Sequence, residues 1–177
     1  MHGQLTAKVA EAIRSKYFDQ GYEVYYDHGE ADNVFVGTIA VSIEEKLSRE
    51  NEISQLDIAV VEQESKHIIA LIEIEETSDK PKTLIGDVFA VLMGKSIQLP
   101  RGKKGEVGDW TTLLVVGKGK GHEERYEYIL KMANKAKDVF GKGTSSIGNI
   151  VIDTFARDDE LEPVLMRQIE EAIKRKP

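Results

Sequence analysis

The feature that most limits the fold is a pair of apolar runs with acids set inside them. Residues 56–61 read Leu-Asp-Ile-Ala-Val-Val, and residues 67–75 read His-Ile-Ile-Ala-Leu-Ile-Glu-Ile-Glu. Runs this short, rich in Ile and Val and broken by polar residues, are strands rather than helices. The polar break Glu64-Ser65-Lys66 joins the two as an antiparallel hairpin. Apolar residues fall on both faces, which places the hairpin inside a sheet covered on both sides. A bare carboxylate is costly there, so Asp57, Glu73 and Glu75 call for a reason.

Strand alternation puts Glu73 and Glu75 on one face and Ile72 and Ile74 on the other. If residues 64–66 form the turn, Gln63 faces His67 and Asp57 faces Glu73, with Cβ atoms roughly 5 Å apart. A turn of two or four residues breaks that alignment unless a bulge restores it. Two carboxylates so close repel, and a cation between them relieves the repulsion. Three convergent oxygens suit Mg²⁺ or Mn²⁺. Such an ion polarises a phosphoryl oxygen and acidifies a bound water, so phosphodiester hydrolysis is the chemistry that fits best. Glu62, Glu64 and Glu76 read as a solvated acidic edge.

The rest of the chain supplies the surroundings. Residues 5–17 carry Leu5, Val9, Ala12 and Ile13 at helical spacing, and Gly21 ends that helix. Residues 22–26 read as a strand, and Asp27-His28-Gly29 as a turn. In residues 33–50, Val34-Phe35-Val36 has strand character and residues 39–47 look helical. Thr77-Ser78-Asp79-Lys80-Pro81 starts a helix to about Met93, with Leu84, Ile85, Val88, Phe89 and Leu92 inward. Residues 98–109 are a polar loop, 111–116 a buried strand, 122–140 a helix, 150–152 a strand and 161–174 a closing helix. The order is α-β-(α)-β-β-α-β-α-β-α, an α/β fold with a mixed central sheet and helices on both faces. With 177 residues and no linker or repeat, residues 1–177 read as one domain, with a core over about 5–140 and a C-terminal strand and helix over about 148–175.

Composition excludes several classes. There are no cysteines, hence no disulfide, thiol nucleophile or Cys-based metal site. No apolar run reaches the roughly 20 residues of a membrane helix. The opening Met1-His2-Gly3-Gln4 shows no signal peptide, so the expected compartment is the cytoplasm. The net charge of −7 is unevenly spread. Residues 1–90 hold 8 Lys and Arg against 18 Asp and Glu, and residues 91–177 hold 16 against 13. An acidic metal site beside a basic flank is compatible with a nucleic-acid enzyme.

Asp57 at the head of one strand and Glu73-Ile74-Glu75 at the end of the next resemble the PD-(D/E)XK nuclease superfamily. The resemblance covers about residues 5–120 and includes the αβββαβ order of the restriction-endonuclease-like core. It implies that Asp57 and Glu73 bind Mg²⁺ or Mn²⁺, with the backbone carbonyl of Ile74 as a further ligand. Glu75 stands where the family usually has lysine. Some type II restriction enzymes also carry Glu-x-Glu, which implies a general base or a ligand to a second metal. Lys80 and Lys82 are candidates for a lysine supplied by the following helix, and Glu11 for a first-helix glutamate.

The implied substrate is DNA. Lys82, Arg101, Lys103, Lys118 and Lys120 are the candidate backbone contacts, the last two in the loop Gly117-Lys118-Gly119-Lys120-Gly121. That loop lacks the spacing of an NTPase phosphate loop. A homodimer is compatible with cutting both strands, and no membrane partner is expected. Two other readings stay open: a nuclease fold that has lost its chemistry and binds nucleic acid or a protein, and a small nucleotide-binding α/β protein using the 117–121 loop. None of the four histidines shows paired ligand spacing, so each reads as a surface residue.

Overall fold

The computed structural model describes residues 3–30, 32–77, 81–119, 123–140 and 146–176. The chain runs α1 (Gln4–Tyr17), β1 (Tyr22–Tyr26), β2 (Ile39–Ser42), β3 (Glu52–Leu56), β4 (Ile58–Glu62) and β5 (Ile68–Glu75). It continues through α2 (Pro81–Met93), β6 (Ser96–Gln98), β7 (Thr112–Lys118), α3 (Glu123–Phe140), β8 (Asn149–Phe155) and α4 (Asp158–Lys174). A short 3-10 turn follows α1, and Gly21 closes it at φ 90°, a left-handed conformation that glycine adopts without strain.

Two sheets form. The larger has the order β1-β4-β5-β7-β8, the smaller β3-β2-β6. In the larger sheet β1, β4 and β5 are antiparallel, while β5, β7 and β8 run parallel. Taking its strands alone, the chain reads α1-β1-β4-β5-α2-β7, with β2, β3 and β6 as additions. Helices cover both faces. α1 and α4 pack through Val9, Ile13, Leu161, Leu165 and Ile169 onto Val24, Ile58, Val60, Ile72 and Ile74. α2 and α3 pack through Leu84, Val88, Val91, Ile129 and Ala133 onto the opposite face, against Ala59, Leu71, Leu113 and Val115. The small sheet joins this second layer through Ile39, Val41, Leu56 and Ile97. No helix among the described residues is long and apolar enough to cross a membrane.

Residues 39–47 are not helical. Residues 39–41 are Ile-Ala-Val, all buried and paired with β3, and Ala40 and Val41 pair with β6 as well. Beyond them the Ser42 hydroxyl bonds to the Asn51 side chain and accepts from the Glu44 N–H, and Asn51 Oδ1 accepts from the Ser48 N–H. These local bonds give the backbone an alternative to a helix. Leu56 also differs from expectation. It ends β3, paired with Ile39 in the small sheet, while Ile58 opens β4 in the large one. The chain therefore changes sheets at Asp57.

The hairpin turn is one residue longer than expected. The Glu62 N–H donates to the His67 carbonyl, leaving residues 63–66 between them, and Val61 pairs with Ile68. Lys66 closes the turn at φ 62°. A four-residue turn continued regularly would set Asp57 against Ile72. A bulge intervenes: Val60 pairs with Ala70, so Ile69 is the extra residue. Ile69 and Ala70 both pack toward α1 and α4, whereas Ile68 and Leu71 face α2 and α3. From there Ala59 pairs with Leu71 and Ile58 with Ile72, where the ladder ends one residue short of Asp57.

Candidate metal centre

Asp57 is held by three backbone hydrogen bonds at the junction of the two sheets. Its N–H donates to the Ile72 carbonyl at 3.2 Å, and its carbonyl accepts from the Asp27 N–H at 3.1 Å. Its Oδ2 accepts from the Ile74 N–H at 2.6 Å. A strand residue turns its N–H and its carbonyl toward the same neighbour. The Ile74 carbonyl therefore faces the same edge as Asp57, where β4 begins.

Glu73 and Glu75 lie on the α2 face of β5, opposite Ile72 and Ile74, which pack toward α1 and α4. Glu73 Oε2 is sealed from solvent and has no hydrogen-bond partner among the described residues. Such an atom is unusual in a folded protein and marks a missing partner. Glu75 Oε1 accepts from the Thr77 hydroxyl at 2.8 Å and from the Thr77 N–H at 3.3 Å.

The electrostatics follow from burial and crowding. Burial, with the neighbouring Asp27 and Glu76 charges, lifts Asp57 to about 7 against the pull of the Ile74 N–H. Burial raises Glu73 well above the ordinary carboxylate range, and Asp57, Asp87 and Asp27 push it further. Asp87, on α2, is raised to about 6 by burial and by Glu75. A divalent cation would reverse these shifts, since it favours every ionised form at once. The chain thus fits Mg²⁺ or Mn²⁺ through a hard-oxygen donor set and an orphaned buried carboxylate oxygen.

Three contributors were missed in the sequence. Asp87 sits three residues after Leu84 and four before Val91, both fully buried, so it occupies an inward position of α2. A charge on that stripe was a readable signal. Asp27 and His28 follow β1 and read as a turn, and the backbone bends there. The ligand-bearing atoms of Asp27, His28 and Asp57 lie within 4.8 Å of one another. His28 Nδ1 stands 2.5 Å from Asp27 Oδ1, a contact that raises the imidazole pKa against its partial burial.

The other candidates have different surroundings. Glu11 accepts hydrogen bonds from Tyr26, Asn33 and Arg14. Burial raises its carboxyl, but those bonds outweigh it and leave it low. Lys103 donates to the Tyr25 hydroxyl at 2.8 Å and lies over the Tyr25 ring. Lys118, at the end of β7, pairs with Asp158 at 2.6 Å. Arg101 is exposed on a short turn after β6, and Lys82 is exposed in the first turn of α2. Lys80 and Lys120 lie outside the described residues. No Lys or Arg among the described residues forms an ion pair with Asp57, Glu73, Glu75 or Asp87. His67 is stacked on Trp110, with ring centroids 4.1 Å apart, away from the acids.

Comparison of the chain with protein-family models, with curated proteins and with solved structures finds no match.

Proposed function

We propose that the protein is a metal-dependent phosphodiester hydrolase, a nuclease of the PD-(D/E)XK type acting on DNA. The observation that carries this reading is the burial of two neighbouring carboxyls, Asp57 and Glu73, with Glu73 Oε2 lacking a partner among the described residues. The order α1-β1-β4-β5-α2-β7 around that pair supports it, being the order of the restriction-endonuclease-like core.

In this reading Asp57 and Glu73 hold Mg²⁺ or Mn²⁺, with the Ile74 carbonyl on the same edge. The ion supplies polarisation of a phosphoryl oxygen and a more acidic bound water. Glu75 is the general base. One of its oxygens is fixed by Thr77, which leaves the other to accept a proton from the attacking water. The water oxygen bonds to phosphorus, the phosphorus–oxygen bond to the leaving strand breaks, and that oxygen takes up a proton. Arg101 and Lys82, both exposed, are the free cations best suited to the DNA backbone.

A second reading, a nuclease fold that binds nucleic acid or a protein without cutting, is favoured by the wholly acidic character of the face. Glu75 replaces the customary lysine, and Asp87 adds a further negative group. Supercoiled plasmid incubated with wild type and with Asp57→Ala and Glu73→Ala separates the two. Nicked or linear product that requires Mg²⁺ or Mn²⁺ and disappears in both variants supports the hydrolase. Intact plasmid with every divalent ion, alongside retained DNA binding, selects the second reading.

A further inference from the structure

The acids legible in the sequence form only one wall of the site. The other wall is the end of β1, where Asp27 and His28 bring a carboxylate and an imidazole to within 4.8 Å of the Asp57 carboxylate. Donors on opposite sides of a small divalent ion lie roughly 4.2 Å apart, a spacing comparable with that of this trio. The Asp27 N–H bond to the Asp57 carbonyl ties the two walls together. Glu73 Oε2, sealed and without a partner among the described residues, belongs to a carboxyl that neighbours Asp57 and is a second and independent sign of a missing cation.

We infer that Asp27 and His28 are ligands of the same metal centre, making it a mixed oxygen–nitrogen site selective for a transition ion of the Mn²⁺ type over Mg²⁺. The inference rests on the metal-site reading above and adds to it the donor that sets selectivity. Mg²⁺ demands oxygen ligands and gives up its water reluctantly, whereas Mn²⁺ accepts imidazole nitrogen together with carboxylate. The short His28–Asp27 contact is where a proton sits in the metal-free protein. A cation takes that place, as metal binding displaces protons from its ligands. His28 is 43% exposed in its side chain, so its replacement leaves the packed layers untouched.

The test is calorimetric titration with Mn²⁺ and with Mg²⁺ of wild type, His28→Ala and Glu73→Gln, joined to pulsed electron paramagnetic resonance of the Mn²⁺-loaded proteins. Wild type is expected to bind Mn²⁺ more tightly than Mg²⁺ and to show nitrogen coupling to the manganese. His28→Ala should lose that coupling and lose about ten- to hundredfold in Mn²⁺ affinity, with a far smaller change for Mg²⁺. An unchanged Mn²⁺-to-Mg²⁺ ratio in His28→Ala, or no nitrogen coupling in wild type, overturns the inference. If Glu73→Gln then still abolishes binding, the hydrolase reading survives that failure. No binding of either ion by wild type overturns both.

Discussion

The burial of Asp57 predicts that the metal-free protein loses stability as pH rises. Its carboxyl titrates near pH 7 in the fold, against 3.8 for the unperturbed group. A raised acid holds its proton more tightly folded than unfolded, so the folded state loses ground from about pH 4 until pH exceeds the folded value. Between pH 5 and pH 8 this one group should destabilise the fold by about 2 to 3 kcal/mol. In a chain of this size that lowers Tm by roughly 5 to 10 °C. Asp57→Asn keeps an oxygen to accept from the Ile74 N–H and removes the titration. The assay is thermal unfolding at pH 5 and pH 8, in chelator, for both proteins. Wild type should show the larger drop in Tm. Equal drops in wild type and Asp57→Asn would refute the argument, because the pH dependence would then come from elsewhere. Saturating Mn²⁺ at pH 8 should restore wild type and leave Asp57→Asn nearly unmoved.

Three further outcomes follow from the packing. Asp87→Asn removes a charge facing Glu73 and Glu75, and should stabilise the metal-free protein at pH 8 by about 1 kcal/mol once solvent screening is allowed for; a denaturant midpoint that does not rise refutes it. Thr111 is fully buried, donates its hydroxyl to the Ile68 carbonyl at 2.7 Å and accepts from the Gly108 N–H. Thr111→Val should therefore cost about 1 to 3 kcal/mol in urea unfolding by leaving buried groups unpaired. Leu84 anchors α2 beneath the acids with no exposed surface, so Leu84→Ala should cost about 2 to 5 kcal/mol by the same assay.

The hairpin was readable because its two apolar runs are too short for buried helices and end in turn residues. Its acids were readable because alternation permits no other face for Glu73 and Glu75. The expected opposition of Asp57 and Glu73 assumed a three-residue turn, whereas the molecule has four residues and a bulge at Ile69 that restores the assumed register as far as Ile58. Nothing in the local sequence announces that bulge, since Ile68-Ile69-Ala70 is equally apolar in either register. The small sheet was illegible for a related reason: residues 39–41 carry no periodicity in three residues, and β6 is only three residues long. Asp27 and His28 behave locally as the turn they spell. The Asp27–Asp57 backbone contact, across 30 residues of chain, ties them to the acids.

The change of sheet at Asp57 also dictates where the chain can gain or lose residues. Residues 43–51 join β2 to β3 at the far end of the small sheet, so lengthening that loop costs little and moves nothing near the acids. One residue added between Leu56 and Ile58 is another matter. Leu56 is locked to Ile39 and Ile58 to Ile72, so the newcomer has no strand to join and must displace Asp57 from the crease. Single-residue insertions in residues 43–51 should thus be tolerated, whereas one beside Asp57 should not.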